Sequence, residues 1–297
     1  MAFNQSQHPL LAPTISGTTV SVDVMLQNPT RVTRLIADLT LQRFIVDRIF
    51  ANAGGVTGGA VLYDQATFND LYSDRDVQRV EPGTEFPIIS SSRVAPKVAA
   101  VEKWGGKVFI TDEAKDRNNS ALFMNEIRRL SNTIIRKVNQ RAVAELDAAA
   151  TTFSRTFVGR SWGSVVTAGS TASSNFQTPM RDIALAQEMA NVDELGVEFD
   201  LWLLNPIEYM NLQIIYGDRL SALLGGFGID VYPSNRVPAG TAYAVASQQV
   251  GELRLEKPLS TETWREQGLQ QTWVQSDVRP VVYVTNPYSV LKITGLT

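Results

Sequence analysis

The 297-residue sequence predicts an α+β fold, and three observations predict it. Apolar residues step by three or four positions over about 120–150, which indicates one long amphipathic helix. Residues 199–245 read as strand, helix and strand in turn, which indicates a mixed unit. The stretch 251–297 carries only strand patterns.

The first 30 residues are polar, rich in Ser and Thr, and interrupted by prolines. This composition predicts an extended arm with little core of its own, either disordered or lying along a partner. From Pro29 to about Phe50 the apolar spacing turns helical, and Pro29 suits the first turn of a helix. The glycines of the segment 54–59 are expected to end that helix in a loop.

Residues 60–110 carry short strand-like runs with no helical period. Turns are expected at Glu81–Gly83 and at Trp104–Gly106. Strands are predicted over 60–63, 77–80, 86–89, 98–101 and 107–111. Because an isolated hairpin is marginally stable in water, we expect this excursion to rest on another part of the molecule.

The helix predicted over about 120–150 would be roughly 45 Å long at 1.5 Å per residue. Asp112, Glu113 and Asp116 precede it and suit a positive helix N-terminus, although paired carboxylates also bind Mg²⁺. Its arginine-rich face is expected to be a solvated or subunit-facing ionic surface, with contact to a nucleic acid backbone as the alternative.

The remaining elements follow from short apolar runs and their breakers. Residues 153–178 and the glycines at 225–228 are expected to be loops. Helices are predicted over 179–191 and 206–216. Strands are predicted over 199–204, 229–232, 241–245, 252–256, 270–274, 278–284 and 289–294.

The composition excludes several kinds of chemistry. The chain has no Cys and a single His, His8, so disulfides, thiolate nucleophiles, Cys-based zinc sites and multi-His metal sites are excluded. The net charge of −3 does not indicate a general electrostatic affinity for nucleic acid. The charged share of 19% is low, which reflects either compositional scatter or a surface covered by neighbouring subunits.

Two local motifs resemble parts of known active-site signatures. Gly159–Gly163 matches G-x-S-x-G, but the acid and His that must follow a nucleophilic Ser161 are incomplete, since no His follows. Gly54–Gly59 lacks the Lys and Ser or Thr that end a phosphate-binding loop. Both motifs are expected to be ordinary loops. The long uncharged run between Arg160 and Arg181 is polar and does not predict a membrane span.

The order of the elements resembles that of the major capsid proteins of tailed double-stranded DNA bacteriophages. That fold is shared with encapsulin shells and the herpesvirus capsid floor. The segments that carry the resemblance are Val80–Pro87, Lys103–Glu113, Leu203–Pro206, Gly228–Pro233, Gly240–Tyr243 and Asn286–Gly295.

The resemblance implies the phage major capsid fold, divided into six parts. They are an N-terminal arm (1–30), an N-terminal helix and linker (31–57), an extended β-hairpin loop (58–107), a peripheral domain with a spine helix (108–155), an α/β axial domain (156–250) and terminal strands that return to the peripheral domain (251–297).

The function implied is structural. The subunit would self-assemble as pentamers and hexamers into an icosahedral head around packaged double-stranded DNA, without sequence-specific binding, cofactor, metal or membrane. The alternatives are an encapsulin-type compartment and, third, a serine hydrolase using Ser161. Further implied partners are a separate scaffolding protein, a portal and decoration proteins. The protein is expected in the virion, after assembly in the host bacterial cytoplasm.

The candidate site residues are assembly contacts. Arg79, Glu81, Glu85 and Arg93 are expected to form ion pairs with a neighbour, and Phe86 is the expected apolar anchor. Gly217, Asp218 and Arg219, with the glycines at 225–228, are expected near the axis of a capsomer, the pentamer or hexamer of the shell. Some relatives cross-link a loop Lys to a neighbour's Asn, but this loop tip has no Lys before Lys97, so no such link is expected.

Overall fold

The computed structural model describes residues 22–41, 44–67, 77–88, 95–170 and 172–297. Its helices are α1 Val22–Gln27, α2 Pro29–Leu41, α3 Val46–Ile49, α4 Asp112–Asp116, α5 Ser120–Thr152, α6 Pro179–Val192, α7 Pro206–Tyr216 and α8 Leu220–Gly226. Its strands are β1 Ala51–Gly55, β2 Ala60–Tyr63, β3 Lys97–Ala100, β4 Trp104–Thr111, β5 Thr156–Val158, β6 Leu201–Leu204, β7 Asp230–Pro233, β8 Thr241–Val245, β9 Gly251–Glu266, β10 Gln271–Val284 and β11 Val290–Thr294.

The described strands form three sheets, and the α+β prediction is confirmed. A four-stranded sheet has the order β1-β9-β10-β4, a five-stranded sheet has the order β5-β11-β8-β6-β7, and β2 pairs with β3 alone. In the first sheet, β9 and β10 form a long antiparallel hairpin, and β4 pairs antiparallel with β10. Within the described residues, no helix combines the length and apolarity that a bilayer-spanning helix needs.

The long helix α5 joins the two larger sheets. Phe123, Ile127 and Leu130 on its N-terminal half are buried in one cluster with Ile110 of β4 and Val274 of β10. The same cluster includes residues of its last turns and of the five-stranded sheet, namely Leu146, Ala149, Leu203, Tyr243 and Val290. The three-to-four spacing of apolar residues therefore places one face of a single helix against both sheets.

The five-stranded sheet is covered on both sides. Leu201 and Leu203 of β6 belong to the cluster with α5, whereas Trp202 and Leu204 belong to a second cluster with α6 and α7. Every residue of β6 and β8 is buried. This two-sided burial explains why the sequence shows continuous apolar runs here and not an alternating pattern.

Several predictions about the chain's first 60 residues are wrong. Within the predicted arm, Val22–Gln27 is helical and buries Val22, Met25 and Leu26 against the core, because its apolar residues lie on one face. Residues 1–21, with His8, lie outside the described residues. The helix predicted to reach Phe50 ends at Leu41 and resumes at Val46, and Gly54 and Gly55 belong to β1, paired with β9.

Other predictions of loops and turns are also corrected. Trp104–Gly106 is the start of β4 and not a turn. A Cβ on Gly105 would lie 2.7 Å from the Ser276 carbonyl oxygen, so the glycine permits close strand approach. Gly225 and Gly226 end α8, and the predicted loop 153–178 contains the short strand β5.

The C-terminal strands are longer than predicted. Two strands, β9 and β10, replace the three short runs predicted over 252–284. Polar residues interrupt the apolar pattern of these strands, but they are buried where the two strands pair. Thr261 Oγ1 and Ser276 Oγ, for example, lie 2.8 Å apart. Asp277 is likewise buried and bonded to Lys257 at 2.9 Å. The final strand, β11, lies in the five-stranded sheet.

Candidate assembly surfaces

The G-x-S-x-G segment is a connecting loop that is packed against the protein and held by hydrogen bonds to Asp182. Asp182 is fully buried and accepts hydrogen bonds from the Arg160 backbone N–H at 3.0 Å and from Trp162 Nε1 at 2.9 Å. A Cβ on Gly159 would meet Leu296 at 2.7 Å. The Asp182 carboxylate therefore holds the backbone and the Trp162 ring in place. This agrees with the prediction that the motif is an ordinary loop.

The acidic residues before the long helix serve structure as well. Thr111 caps α4 through the Ala114 backbone N–H, and Asp112 forms an ion pair with Arg265 at 2.5 Å. Hydrogen bonding from Arg265 lowers the pKa of Asp112, which keeps it ionised. Across the described ranges, no three acidic or His residues are arranged to hold a metal ion.

The base of the hairpin β2–β3 is anchored on the four-stranded sheet. Val61 is buried against Val281 and Tyr283 of β10, and the rings of Tyr63 and Tyr283 lie 4.6 Å apart. Gln65 adds a hydrogen bond from its Nε2 to the Val284 carbonyl at 3.0 Å. The prediction that the hairpin rests on another part of the molecule is confirmed.

The tip of the loop is largely exposed within the part of the chain that the structure describes. Glu81–Thr84 forms the predicted turn, closed by hydrogen bonds from Thr84 N and Oγ1 to the Glu81 carbonyl at 3.2 and 2.7 Å. Phe86 and Ile88 are 78% and 80% exposed. The strands predicted over 77–80 and 86–89 are wrong for the part that the structure describes, where both segments are irregular.

The predicted contact residues of the loop that the structure describes are exposed. Arg79, Glu81 and Glu85 are exposed, and no described residue forms an ion pair with any of them. They share one short segment with Phe86, so charge and apolar surface lie together. Arg93 lies outside the described residues.

The predicted capsomer-axis residues form the turn between α7 and α8. Gly217 has φ 49° and ψ −130°, a conformation that favours glycine, and it ends α7. Gly217, Asp218 and Arg219 are exposed, and Asp218 and Arg219 have no ion-pair partner in the described part of the chain. The predicted glycine-rich loop is replaced by α8, so this turn is shorter than expected.

One exposed aromatic surface was not predicted from the sequence. Phe109, Trp273 and Trp264 lie side by side on three adjacent strands, with ring centroids 5.5 and 6.4 Å apart. Lys107 Nζ lies 4.2 Å from the Trp273 ring centroid. Trp273 Nε1 donates to Glu266 at 2.6 Å, which lowers the pKa of that carboxyl. The exposure of residues in β4 alternates, so this strand has one outward face. Only the pairing register of β4, β10 and β9 brings the three rings together.

The fold, with a long helix between two sheets and a hairpin anchored on one of them, is similar to that of several solved structures. The capsid of the Myoviridae phage XM1 matches with a TM-score of 0.61 and 14% identity, over 87% of this chain and 92% of that one. A virus-like particle from Pyrococcus furiosus matches with a TM-score of 0.59 and 10% identity, over 89% and 98%. A Mycobacterium phage Bobi chain matches with a TM-score of 0.55 and 14% identity, over 86% and 89%.

The sequence identifies the family more narrowly than the fold does. A family model described as phage capsid protein matches residues 93–293, so the chain belongs to the phage capsid protein family. It is therefore a structural capsid protein, as the resemblance implied. None of the curated proteins compared matches the sequence.

Proposed function

We propose that this protein is the major capsid protein of a tailed double-stranded DNA phage and builds the icosahedral head from pentamers and hexamers. In this proposal it has no catalytic role. The observation that carries it is the loop tip, whose Phe86 and Ile88 side chains are about four-fifths exposed on a family member. Exposed apolar side chains of this size beside unpaired charges are typical of a surface that a partner covers.

The two larger sheets supply the two working parts of the subunit in this proposal. The four-stranded sheet with the N-terminal half of α5 is the peripheral domain, from which the loop reaches a neighbour. The five-stranded sheet with α6, α7 and α8 is the axial domain, and Gly217–Arg219 would lie near the capsomer axis. Because β11 belongs to this sheet, only β9 and β10 of the predicted terminal strands return to the peripheral domain. The shared cluster along α5 supports a subunit in which both parts are held by one helix.

Charge reversal in the loop tests the contact role of its ionic residues. We expect Glu81→Lys or Arg79→Glu to lower the yield of closed shells while leaving the subunit's melting temperature unchanged, because both side chains are exposed and neither forms an ion pair with a described residue. Glu198→Lys is the matched control, since Glu198 is exposed and the charge change is the same as in Glu81→Lys. Normal shell yields from both loop variants would contradict the assignment.

A protein compartment that holds cargo is the second candidate, favoured by the similarity to the Pyrococcus furiosus virus-like particle. The two candidate functions differ in what the particle encloses. The head-shell proposal predicts nuclease-resistant DNA of genome length inside particles from infected cells, together with scaffolding, portal and decoration proteins as partners. Particles that hold protein cargo and no long DNA would favour the compartment.

The proposed shell is non-covalent. The loop tip carries Glu81, Thr84 and Glu85 and no Lys, so it lacks the amine that an isopeptide bond to a neighbour needs. Particles boiled in SDS should therefore give one band at the monomer mass of 32.7 kDa. A ladder of covalent oligomers would contradict this part of the proposal.

A further inference from the structure

Helix α7 is apolar on two sides. Leu212 is buried in the core of the five-stranded-sheet region, with Tyr209 and Tyr216 packed against the same cluster. On the other side, Ile207, Met210 and Ile214 are 49%, 49% and 68% exposed. Their spacing of three and four residues aligns them along one face, and we call these three residues the α7 stripe. Three large apolar side chains aligned and exposed on one helix face are typical of a surface that a partner covers.

An apolar groove lies on the opposite side of the same helix. It runs between α6 and the α7–α8 region, has a volume of about 540 Å³, and is lined by Phe176, Leu185, Tyr216 and Leu223 among others. Phe176 is 78% exposed at its edge. Tyr216 follows Ile207 by nine residues, which at about 100° per residue puts the two on opposite sides of α7. The groove therefore faces away from the α7 stripe.

The charges beside the two surfaces are complementary. Arg181 and Glu188 line the groove, but Arg181 pairs with Asp182 of its own subunit at 3.2 Å, which leaves Glu188 as the charge available for a partner. Arg219 is exposed in the turn that follows α7. Within the described ranges, neither Glu188 nor Arg219 has an ion-pair partner in its own subunit. A second copy that seats its α7 stripe in the groove can bring Arg219 to Glu188, which fixes the direction of the contact.

We infer that the α7 stripe of one subunit binds the groove of the next subunit, head to tail. One convex and one concave apolar surface on opposite sides of a molecule make a heterologous contact, and such contacts close into rings when the rotation allows. The occupant is a second copy because the chain is a capsid protein whose own surface supplies both halves. This inference rests on the proposed function and names the surfaces that close its pentamers and hexamers.

Site-directed cross-linking tests the contact. The chain has no Cys, so Ile214→Cys and Ala184→Cys, at the stripe and in the groove, supply the only thiols. A short bismaleimide applied to assembled particles of the double variant should give a ladder of covalent oligomers that ends at five or six chains. Each single variant should stay monomeric on denaturing gels.

The outcomes separate the inference from the proposed function. Wild-type protein that forms no capsomers or shells with its scaffolding protein would overturn the proposed function. Assembled double-variant particles without a ladder would overturn only the head-to-tail contact. Covalent dimers from Ile214→Cys alone would also overturn it, because they would show stripe packed on stripe.

A substitution supplies an independent readout. Ile214→Glu should lower capsomer yield tenfold or more, because it buries a charge in an apolar contact. Gln213→Glu is the matched control, because Gln213 is exposed on the same helix but lies about 100° around it from Ile214, outside the stripe, and this variant should assemble like wild type. The melting temperature of both subunits should be unchanged, since neither side chain is buried within the subunit. Equal capsomer yields from the two variants would overturn the inference.

Discussion

The five-stranded sheet and the loop tip use the same kinds of residue for opposite purposes. In the sheet, Leu203, Leu204 and Tyr243 are at most 1% exposed. In the loop, Phe86 and Ile88 are four-fifths exposed. The sheet is stabilised by its own helices, whereas the exposed Phe86 and Ile88 side chains bury little surface within the described part of the subunit. The comparison separates a region that stabilises the subunit from a loop tip whose apolar surface is exposed, which is the basis for proposing that the tip contacts a neighbour.

The largest expected effect comes from the sheet side of this comparison. Leu203→Ala removes a fully buried side chain between α5 and the sheet, and we expect the free energy of unfolding to fall by about 2–5 kcal/mol. Phe86→Ala should change it by about 0.5 kcal/mol or less, because the side chain is exposed. Urea unfolding of both variants measures the difference. Equal losses would remove the distinction between the two regions.

A buried carboxylate of the axial region should be the next most sensitive position. Asp182→Ala leaves the Arg160 amide and the buried Trp162 indole without their acceptor, which costs about 1–3 kcal/mol for each donor. Thermal unfolding should show a clearly lowered melting temperature. Ser161→Ala, in the same segment, should leave both stability and assembly unchanged. A hydrolytic activity lost in Ser161→Ala would instead support the enzyme alternative.

A smaller, pH-dependent effect is expected where α5 meets the five-stranded sheet. Asp147 accepts a hydrogen bond from Tyr243 at 2.7 Å and pairs with Lys292 at 2.5 Å. Burial alone would raise the pKa of Asp147, but the bonds from Lys292 and Tyr243 outweigh it and lower the pKa. A lowered pKa stabilises the folded state above the unfolded pKa of about 4, and this contribution is lost as pH falls through the folded pKa.

Asp147→Asn checks that coupling. Because the carboxyl group is partly exposed, we expect the variant to lose about 1 kcal/mol or less at pH 7 and to match wild type at pH values below the folded pKa. Denaturant unfolding across pH measures this. A stability difference that grows as pH falls would contradict the assigned sign.

The elements fixed by local pattern were predicted well from the sequence. The helix predicted over 120–150 is observed at Ser120–Thr152, and the strand predicted over 241–245 is observed with those bounds. Both depend on periodicity within a short window. Helix α1 was missed because the polar residues around it dominate the composition, although Val22, Met25 and Leu26 are buried.

The features set by distant pairing could not be predicted. Phe109, Trp273 and Trp264 become neighbours only through the register of β4, β10 and β9. Thr261 and Ser276 are a buried polar pair within the last hairpin. Because such polar residues interrupt the apolar pattern, the sequence does not show how long the hairpin is. The loop residues were identified by the resemblance and their local charge, and the contact role proposed for them depends on a neighbouring subunit, which the sequence of one chain cannot place.

Amide hydrogen exchange of assembled shells and dissociated subunits tests the central claim most directly. The account predicts that residues 77–88 exchange rapidly in the subunit and slowly in the shell, because a neighbour covers them only after assembly. Residues 241–245 should exchange slowly in both states, since β8 is buried within the subunit. Equally rapid exchange of residues 77–88 in both states would contradict the claim that this loop joins neighbouring subunits.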